Sequence, residues 1–237
     1  MSIGNSVSIS SRLENAVCVL CSIIQKQTYF SESPSPSEYE LRRELVACIL
    51  GSQVTYEIAK YYLELIEKTG LLSDNWWNKK RQGFESRVYN IFSSESSRDS
   101  GIGRYRFPRV RAYQLAEARD SISTQPLVER LTGGTEPKKI RYKLVAEISG
   151  LGPKQSSMFL RNIGITNDLS ILDTHVLRFM FIQKLLPSFN QNRISSISAY
   201  EQVESVMTSY ANTLGYPVGC LDRAIWATMR AARELKI

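Results

Sequence analysis

Apolar residues recur in this chain at three- and four-residue spacing almost from end to end, and no stretch alternates apolar with polar residues between turn signals as a half-buried strand must. The sequence therefore predicts an all-α fold. Leu41, Leu45, Val46, Ile49 and Leu50 share one face of a helix that stops at Gly51, and Ile58, Tyr62, Leu65 and Ile66 face inward from a helix running from about Thr55 to Gly70. Pro137 suits the first turn of a helix reaching about Ser149. Asp173 stands where an N-cap belongs, ahead of Val176, Leu177, Met180 and Phe181. Ser198 and Glu201 read as a capping box opening a helix that breaks at Gly215, and Pro217 starts a last helix carrying Leu221, Ile225 and Met229. The Ser/Pro-rich SESPSPSE is a linker by composition, and the polar segment 92–103 is expected to be a loop. With 237 residues, 43% of them hydrophobic, the chain can bury a core in one or two domains.

Several function classes fall away on the same reading. The longest apolar run, Ala16 to Ile24, is far short of the roughly 20 residues a membrane helix needs, so no membrane span is expected. The N-terminal segment lacks the basic stretch and cleavage site of a signal peptide, which points to a cytoplasmic, nucleoid-associated protein. Four cysteines and one histidine supply few metal ligands. Cys18 and Cys21 form a CxxC, but Cys48 and Cys220 lie far away and His175 is not near, so the pair reads as neighbours on a buried helix face. A formal charge of +7 favours a polyanionic partner. Arg104, Arg106, Arg109 and Arg111 gather the charge ahead of a helix, where they either meet phosphates or form a solvated face.

The segment VAEISGLGPKQSSMFLRNIGI, 145–165, is a helix, a GLG turn and a second helix from Pro153. Two glycines one residue apart allow positive φ and let backbone approach a ligand closely. Such a turn presents N–H groups beside a positive helix end, a grip for phosphate that reads no sequence. Lys154 lies in that helix's first turn, where the macrodipole disfavours a cation, and a neutral amine is what a nucleophilic lysine needs. Downstream, in LSILDTHVLRF, a carboxylate that caps a helix is fixed in direction, which suits a group meant to stabilise positive charge on a sugar.

GLGPKQSS followed by LDTHV resembles the helix–hairpin–helix DNA glycosylase superfamily, and ISGLGPKQSSMFLRNIG, DLSILDTHVLRF, ILGSQVTYE and YRFPRVRA are most similar to its type-2 8-oxoguanine DNA glycosylase/lyases. The likeness covers roughly Leu41 to Trp226. It implies two helical subdomains with a DNA-binding cleft between them: a six-helix barrel domain, 55–167, containing the hairpin, and a terminal domain made from 1–54 and 168–237. It implies Lys154 as nucleophile and Asp173 as essential carboxylate on opposite walls of that cleft. It implies DNA contacts by Gly150, Gly152, Gln53 and Gln155, with Gln53 probing the space left by an extruded base. Trp226 and Lys236 are assigned to the base pocket. A monovalent cation is expected on the carbonyls of Ala146, Ile148 and Leu151, with no cofactor required. The chain departs from relatives that end in a four-cysteine iron–sulfur loop, and Ile237 follows Lys236 where type-2 members typically end in lysine.

The resemblance thus implies a base-excision repair enzyme: a DNA N-glycosylase and abasic-site lyase that acts as a monomer on double-stranded DNA. It would excise 8-oxoguanine through a lysine Schiff base and nick the strand by β-elimination. Two alternatives are excision of oxidised pyrimidines or alkylated bases, and a non-catalytic hairpin module that only binds DNA.

Overall fold

The computed structural model describes residues 8–28, 35–77, 81–94, 101–131, 136–188 and 194–234, and every regular element among them is helical. In chain order these are α1 (Ile9–Thr28), α2 (Glu38–Leu50), α3 (Tyr56–Lys68), α4 (Asp74–Trp77), α5 (Arg81–Ser93), α6 (Pro108–Thr124), α7 (Leu127–Leu131), α8 (Pro137–Glu147), α9 (Pro153–Asn162), α10 (Thr174–Ile182), α11 (Ile197–Leu214) and α12 (Val218–Glu234). None of them is long and apolar enough to cross a membrane.

The chain forms two compact units, Ser35–Ile165 and a second that joins Met1–Pro34 to Thr166–Ile237. In the first, α2 is the hub, packing on α3, α6, α7 and α9, while α5 lies on α3 and α6. Because α2 packs there, that unit opens at Ser35, ahead of α2, whereas the sequence boundary falls after residue 54. Leu45, Val46, Cys48, Ile49 and Leu50 are buried along α2. Ser37 starts it with a capping box, its hydroxyl accepting the Glu40 N–H while the Glu40 carboxylate takes the Ser37 N–H. Tyr62, Phe92 and Tyr105 form an aromatic cluster, with Phe92 and Tyr105 stacked 4.5 Å apart.

In the second unit α12 packs against α1, α10 and α11 over a core that includes Val17, Cys21, Val176, Phe179, Met180, Met207, Leu221 and Ile225. Gly219 lets this helix begin against the chain: a Cβ there would lie 2.5 Å from the Asn167 carbonyl oxygen. Cys21 is buried, Cys18 is half-buried, and all four cysteines are free thiols.

Four expectations about helix ends and buried faces need correction. The cap of α11 is Ser196, whose hydroxyl accepts the Ala199 N–H at 3.3 Å, and Ser198 lies inside the helix. Phe179, not Phe181, faces the α10 core, because the helix rotates Phe181 outward to 45% exposure. On α3 it is Ala59, Tyr62, Leu63 and Ile66 that are buried, with Ile58 and Leu65 at the edge. Phe92 and Ser93 end α5 instead of opening a loop, since Phe92 is needed in the aromatic cluster.

Candidate functional site

Within the Ser35–Ile165 unit, α8 ends at Glu147, and its Ile148 cap donates to the Leu144 carbonyl. The chain then turns through Gly150 at φ 89°, with the Leu151 N–H donating to the Ile148 carbonyl at 3.2 Å. This position demands glycine twice. The left-handed φ disfavours any side chain, and a Cβ would lie 3.0 Å from Cγ2 of Ile49 and 3.3 Å from Cβ of Gln114. Gly152 is different: at φ −88° and ψ −180° it is ordinary extended backbone serving as the N-cap of α9. Positive φ is therefore used at one of the two glycines, not both.

Since Gly152 brings no capping side chain, the first N–H groups of α9 start the helix without one. Pro153 fixes the first position, and Lys154, half-buried, is the second residue of the helix. Gln155 is buried, its Oε1 3.2 Å from where a Gly152 Cβ would stand, so the side chain folds back under the turn. The arms of the hairpin are tied by Arg141, fully buried on α8, which donates to the Ser157 hydroxyl on α9 at 3.1 Å. Beneath lies Cys48, whose thiol is pushed well above its ordinary value by burial and by Glu44, with the Lys154 charge opposing that rise. The thiol is thus a neutral packing group.

Gln53 sits on the α2–α3 turn at φ 63°, an unusual conformation for a side-chain-bearing residue. The preceding backbone is pinned from two sides. Tyr105 donates its hydroxyl to the Leu50 carbonyl at 2.6 Å, and Arg111 donates to the Ser52 carbonyl at 3.2 Å and to Gln114 at 2.8 Å. Gln114 in turn abuts Gly150, so the Gln53 turn, the start of α6 and the GLG turn form one packed cluster.

Arg111 is consequently a buried strut, and it and Arg109 lie in α6 instead of ahead of it. Arg104, Arg106 and Arg109 remain exposed. Phe107 was not singled out from the sequence, yet it is 43% exposed at φ 82°, with the Arg106 guanidinium 4.9 Å from its ring centre. A signal was present in the Phe-Pro pair: Pro108 takes the first helical position and leaves Phe107 as the turn. Arg109 lies over Tyr89 and, through a hydrogen bond, lowers that phenol from its ordinary value.

Within the other unit Asp173 caps α10 as expected, its Oδ1 accepting the Val176 N–H at 2.9 Å. His175 is half-buried in the first turn of the same helix. Trp226 stands 39% exposed on α12 beneath the Arg230 guanidinium. Lys236 lies outside the described residues. Among the described residues no group of three His, Cys, Asp or Glu is arranged to hold a metal.

The model of the family described as 8-oxoguanine DNA glycosylase matches residues 24–216. An 8-oxoguanine DNA glycosylase/AP lyase from Metallosphaera sedula is 31% identical over 86% of this chain and 89% of its own length. One from Saccharolobus solfataricus is 32% identical over 78% of this chain and 79% of its own. Among solved structures, the 8-oxoguanine DNA glycosylase of Thermotoga maritima superposes with a TM-score of 0.66 at 24% identity, covering 90% of this chain and 95% of that one. The Methanocaldococcus jannaschii 8-oxoguanine glycosylase/lyase, solved with a 15mer DNA containing 8-oxoguanine, gives 0.62 at 23% identity over 93% and 90%. These superpositions show a shared fold.

Proposed function

The chain belongs to the 8-oxoguanine DNA glycosylase family, and from that premise we propose that it is a bifunctional DNA N-glycosylase and abasic-site lyase that removes 8-oxoguanine from duplex DNA and nicks the strand. The target nucleotide is rotated out of the duplex, because C1′ cannot be reached inside the stack. N–H groups of the Gly150–Gly152 turn and the start of α9 hold a backbone phosphate. Exposed Arg104, Arg106 and Arg109 meet flanking phosphates, Phe107 offers a ring to a neighbouring base, and Gln53 fills the space the base leaves.

The chemistry belongs to two side chains. The Lys154 Nζ lone pair attacks C1′ as the bond to the base breaks, and the bonding electrons leave with the base, which takes up a proton. The Asp173 carboxylate offsets the positive charge that builds on the sugar. Loss of a proton from the amine and opening of the sugar ring give a Schiff base. Removal of a C2′ proton then expels the 3′ phosphate, and hydrolysis of the imine returns Lys154.

The reading extends to a monovalent cation on the hairpin's carbonyls. Ala146 lies in the last turn of α8, beyond the helix's own N–H groups, and the Ile148 oxygen that takes the Leu151 N–H has a second lone pair. With Leu151 they would hold the ion at the negative helix end, where its charge would stiffen the turn. The enzyme acts as a monomer, and its genomic substrate sets its workplace at the nucleoid.

The observation that supports this reading most strongly is the place of Lys154, second residue of a helix that starts without a side-chain cap just after a turn requiring glycine at Gly150. Borohydride reduction of the protein on an 8-oxoguanine duplex tests it. Wild type is expected to form a covalent complex and Lys154→Gln none, with its affinity for an abasic-analogue duplex retained. A trapped adduct on Lys154→Gln refutes the assignment, and trapping on oxidised-pyrimidine duplexes alone refutes the lesion.

A further inference from the structure

The downstream side of Asp173 is held by its cap bond to Val176. Its upstream side is held in a less ordinary way. Residues 170–172 are irregular backbone with no helix or sheet to satisfy their N–H groups, and they run through the interior, with Ser170 at 0% and Leu172 at 2% exposure. Three consecutive N–H groups are instead taken by three side chains of the same unit. Glu204 Oε1 accepts from Ser170 at 3.1 Å, Asp222 Oδ2 accepts from Ile171 at 2.6 Å, and the Tyr200 hydroxyl accepts from Leu172 at 3.0 Å. That hydroxyl also donates to the Ser170 carbonyl at 2.7 Å, so one atom bridges both ends of the tripeptide. Tyr200 and Glu204 lie one turn apart on α11, and Asp222 follows the first turn of α12, in which the Gly219 N–H also donates to the Asn167 carbonyl at 3.0 Å. All three side chains are 1% exposed.

Burying two acidic side chains and a phenol to serve one short segment is costly, and apolar packing would fill the same volume more cheaply. Packing, however, does not fix where an irregular backbone points. A hydrogen bond to each successive N–H does, because a slip of one residue would leave all three acceptors unmatched. The segment so fixed delivers Asp173.

We infer that Tyr200, Glu204 and Asp222 are positioning residues for the Asp173 carboxylate. The role rests on the reading of Asp173 above. A carboxylate that must face the charge building at one sugar carbon loses effect steeply with displacement, about a hundredfold for 1 Å. None of the three touches substrate.

The test uses the full chain and two DNA substrates: single-turnover excision from an 8-oxoguanine duplex, and borohydride trapping on a duplex with a preformed abasic site, where no base remains to be expelled. Tyr200→Phe, isosteric but without the bridging hydroxyl, is expected to slow excision at least tenfold while trapping stays within about threefold. Added to Asp173→Asn it should slow excision no further, because its effect passes through that carboxylate. Equal losses on both substrates, or multiplicative losses in the double variant, overturn the inference and leave the reading of Asp173 intact. Wild-type excision by Asp173→Asn alone overturns that reading and the inference with it. Should Tyr200→Phe fail to fold, Glu204→Gln keeps an acceptor oxygen and should retain excision where Glu204→Leu loses it, and identical behaviour of those two refutes the assignment.

Discussion

Replacing Gly150 by alanine separates the two reasons the hairpin needs glycine. At φ 89° a Cβ costs about 1–2 kcal/mol in backbone strain. The methyl also meets Ile49 Cγ2 at 3.0 Å and Gln114 Cβ at 3.3 Å. Ile49 is fully buried in the α2 hub and Gln114 is tied to Arg111, so neither can swing aside without moving a helix, an overpacking cost of about 1–3 kcal/mol. The reduced freedom of the unfolded chain offsets roughly 0.4–1 kcal/mol. The expected net loss is about 2–4 kcal/mol. Gly152→Ala is the internal control: its φ is ordinary, and its Cβ meets the Gln155 Oε1 at 3.2 Å, the end of a flexible side chain. That variant should lose less than about 1 kcal/mol. Urea unfolding followed by tryptophan fluorescence reads both. Equal losses for the two variants, or Gly150→Ala within about 0.5 kcal/mol of wild type, would refute the argument that the left-handed turn and its close approach to α2 hold the hairpin.

Other outcomes follow from the same cluster and the exposed arginines. Burial pushes the Tyr105 phenol up to about 12, against an ordinary value near 10. Between those values the folded state keeps a proton the unfolded chain has released, so its stabilisation is complete below about pH 10 and lost as pH rises through about 12, amounting to about 2–3 kcal/mol. Unfolding free energies from about pH 8 to about pH 11 should fall more steeply for wild type than for Tyr105→Phe, and parallel curves would contradict this. Binding to undamaged duplex should weaken steeply with salt, and replacing Arg106 and Arg109 by Gln should flatten the slope of log affinity against log salt by up to about 2. An unchanged slope would make that face a solvated surface only.

Much of this was legible in the sequence, for reasons that differ by position. The hairpin could be read because a glycine-flanked turn between two periodic segments leaves the chain few conformations, and Asp173 because a cap needs only its own helix. What escaped depends on long-range packing. Nothing local says that Arg111, in a run of arginines, is the buried one: that follows from the Ser52 carbonyl being delivered to it by α2. Ser196 and Ser198 are both plausible caps by type, and the choice is made by where the buried faces of Tyr200 and Glu204 force the helix to begin. Phe181 and Phe179 differ by half a turn, which periodicity alone does not resolve once α10 is apolar on most sides. The residues that hold 170–172 were invisible for a stronger reason. Glu204 and Asp222 look like surface carboxylates until the segment they serve is folded against them.

The choice of residue at 173 carries a last step. Other helices of this chain solve the same capping problem with neutral groups: the hydroxyls of Ser37, Thr55 and Ser196 accept the N–H groups of Glu40, Ile58 and Ala199. A hydroxyl or an amide caps about as well as a carboxylate, within a few tenths of a kcal/mol for the best of them. Capping alone therefore gives no reason for aspartate at α10, beyond a macrodipole contribution of roughly 0.3–1 kcal/mol. Aspartate differs in having a second oxygen and a full negative charge. With Oδ1 committed to Val176, that charge is held at a defined place by a helix on one side and by a hydrogen-bonded strap on the other. Asparagine at this position would keep the bond to Val176 and much of the stability. It would lose only the charge, the property on which the proposed role of Asp173 beside a positively charged sugar depends.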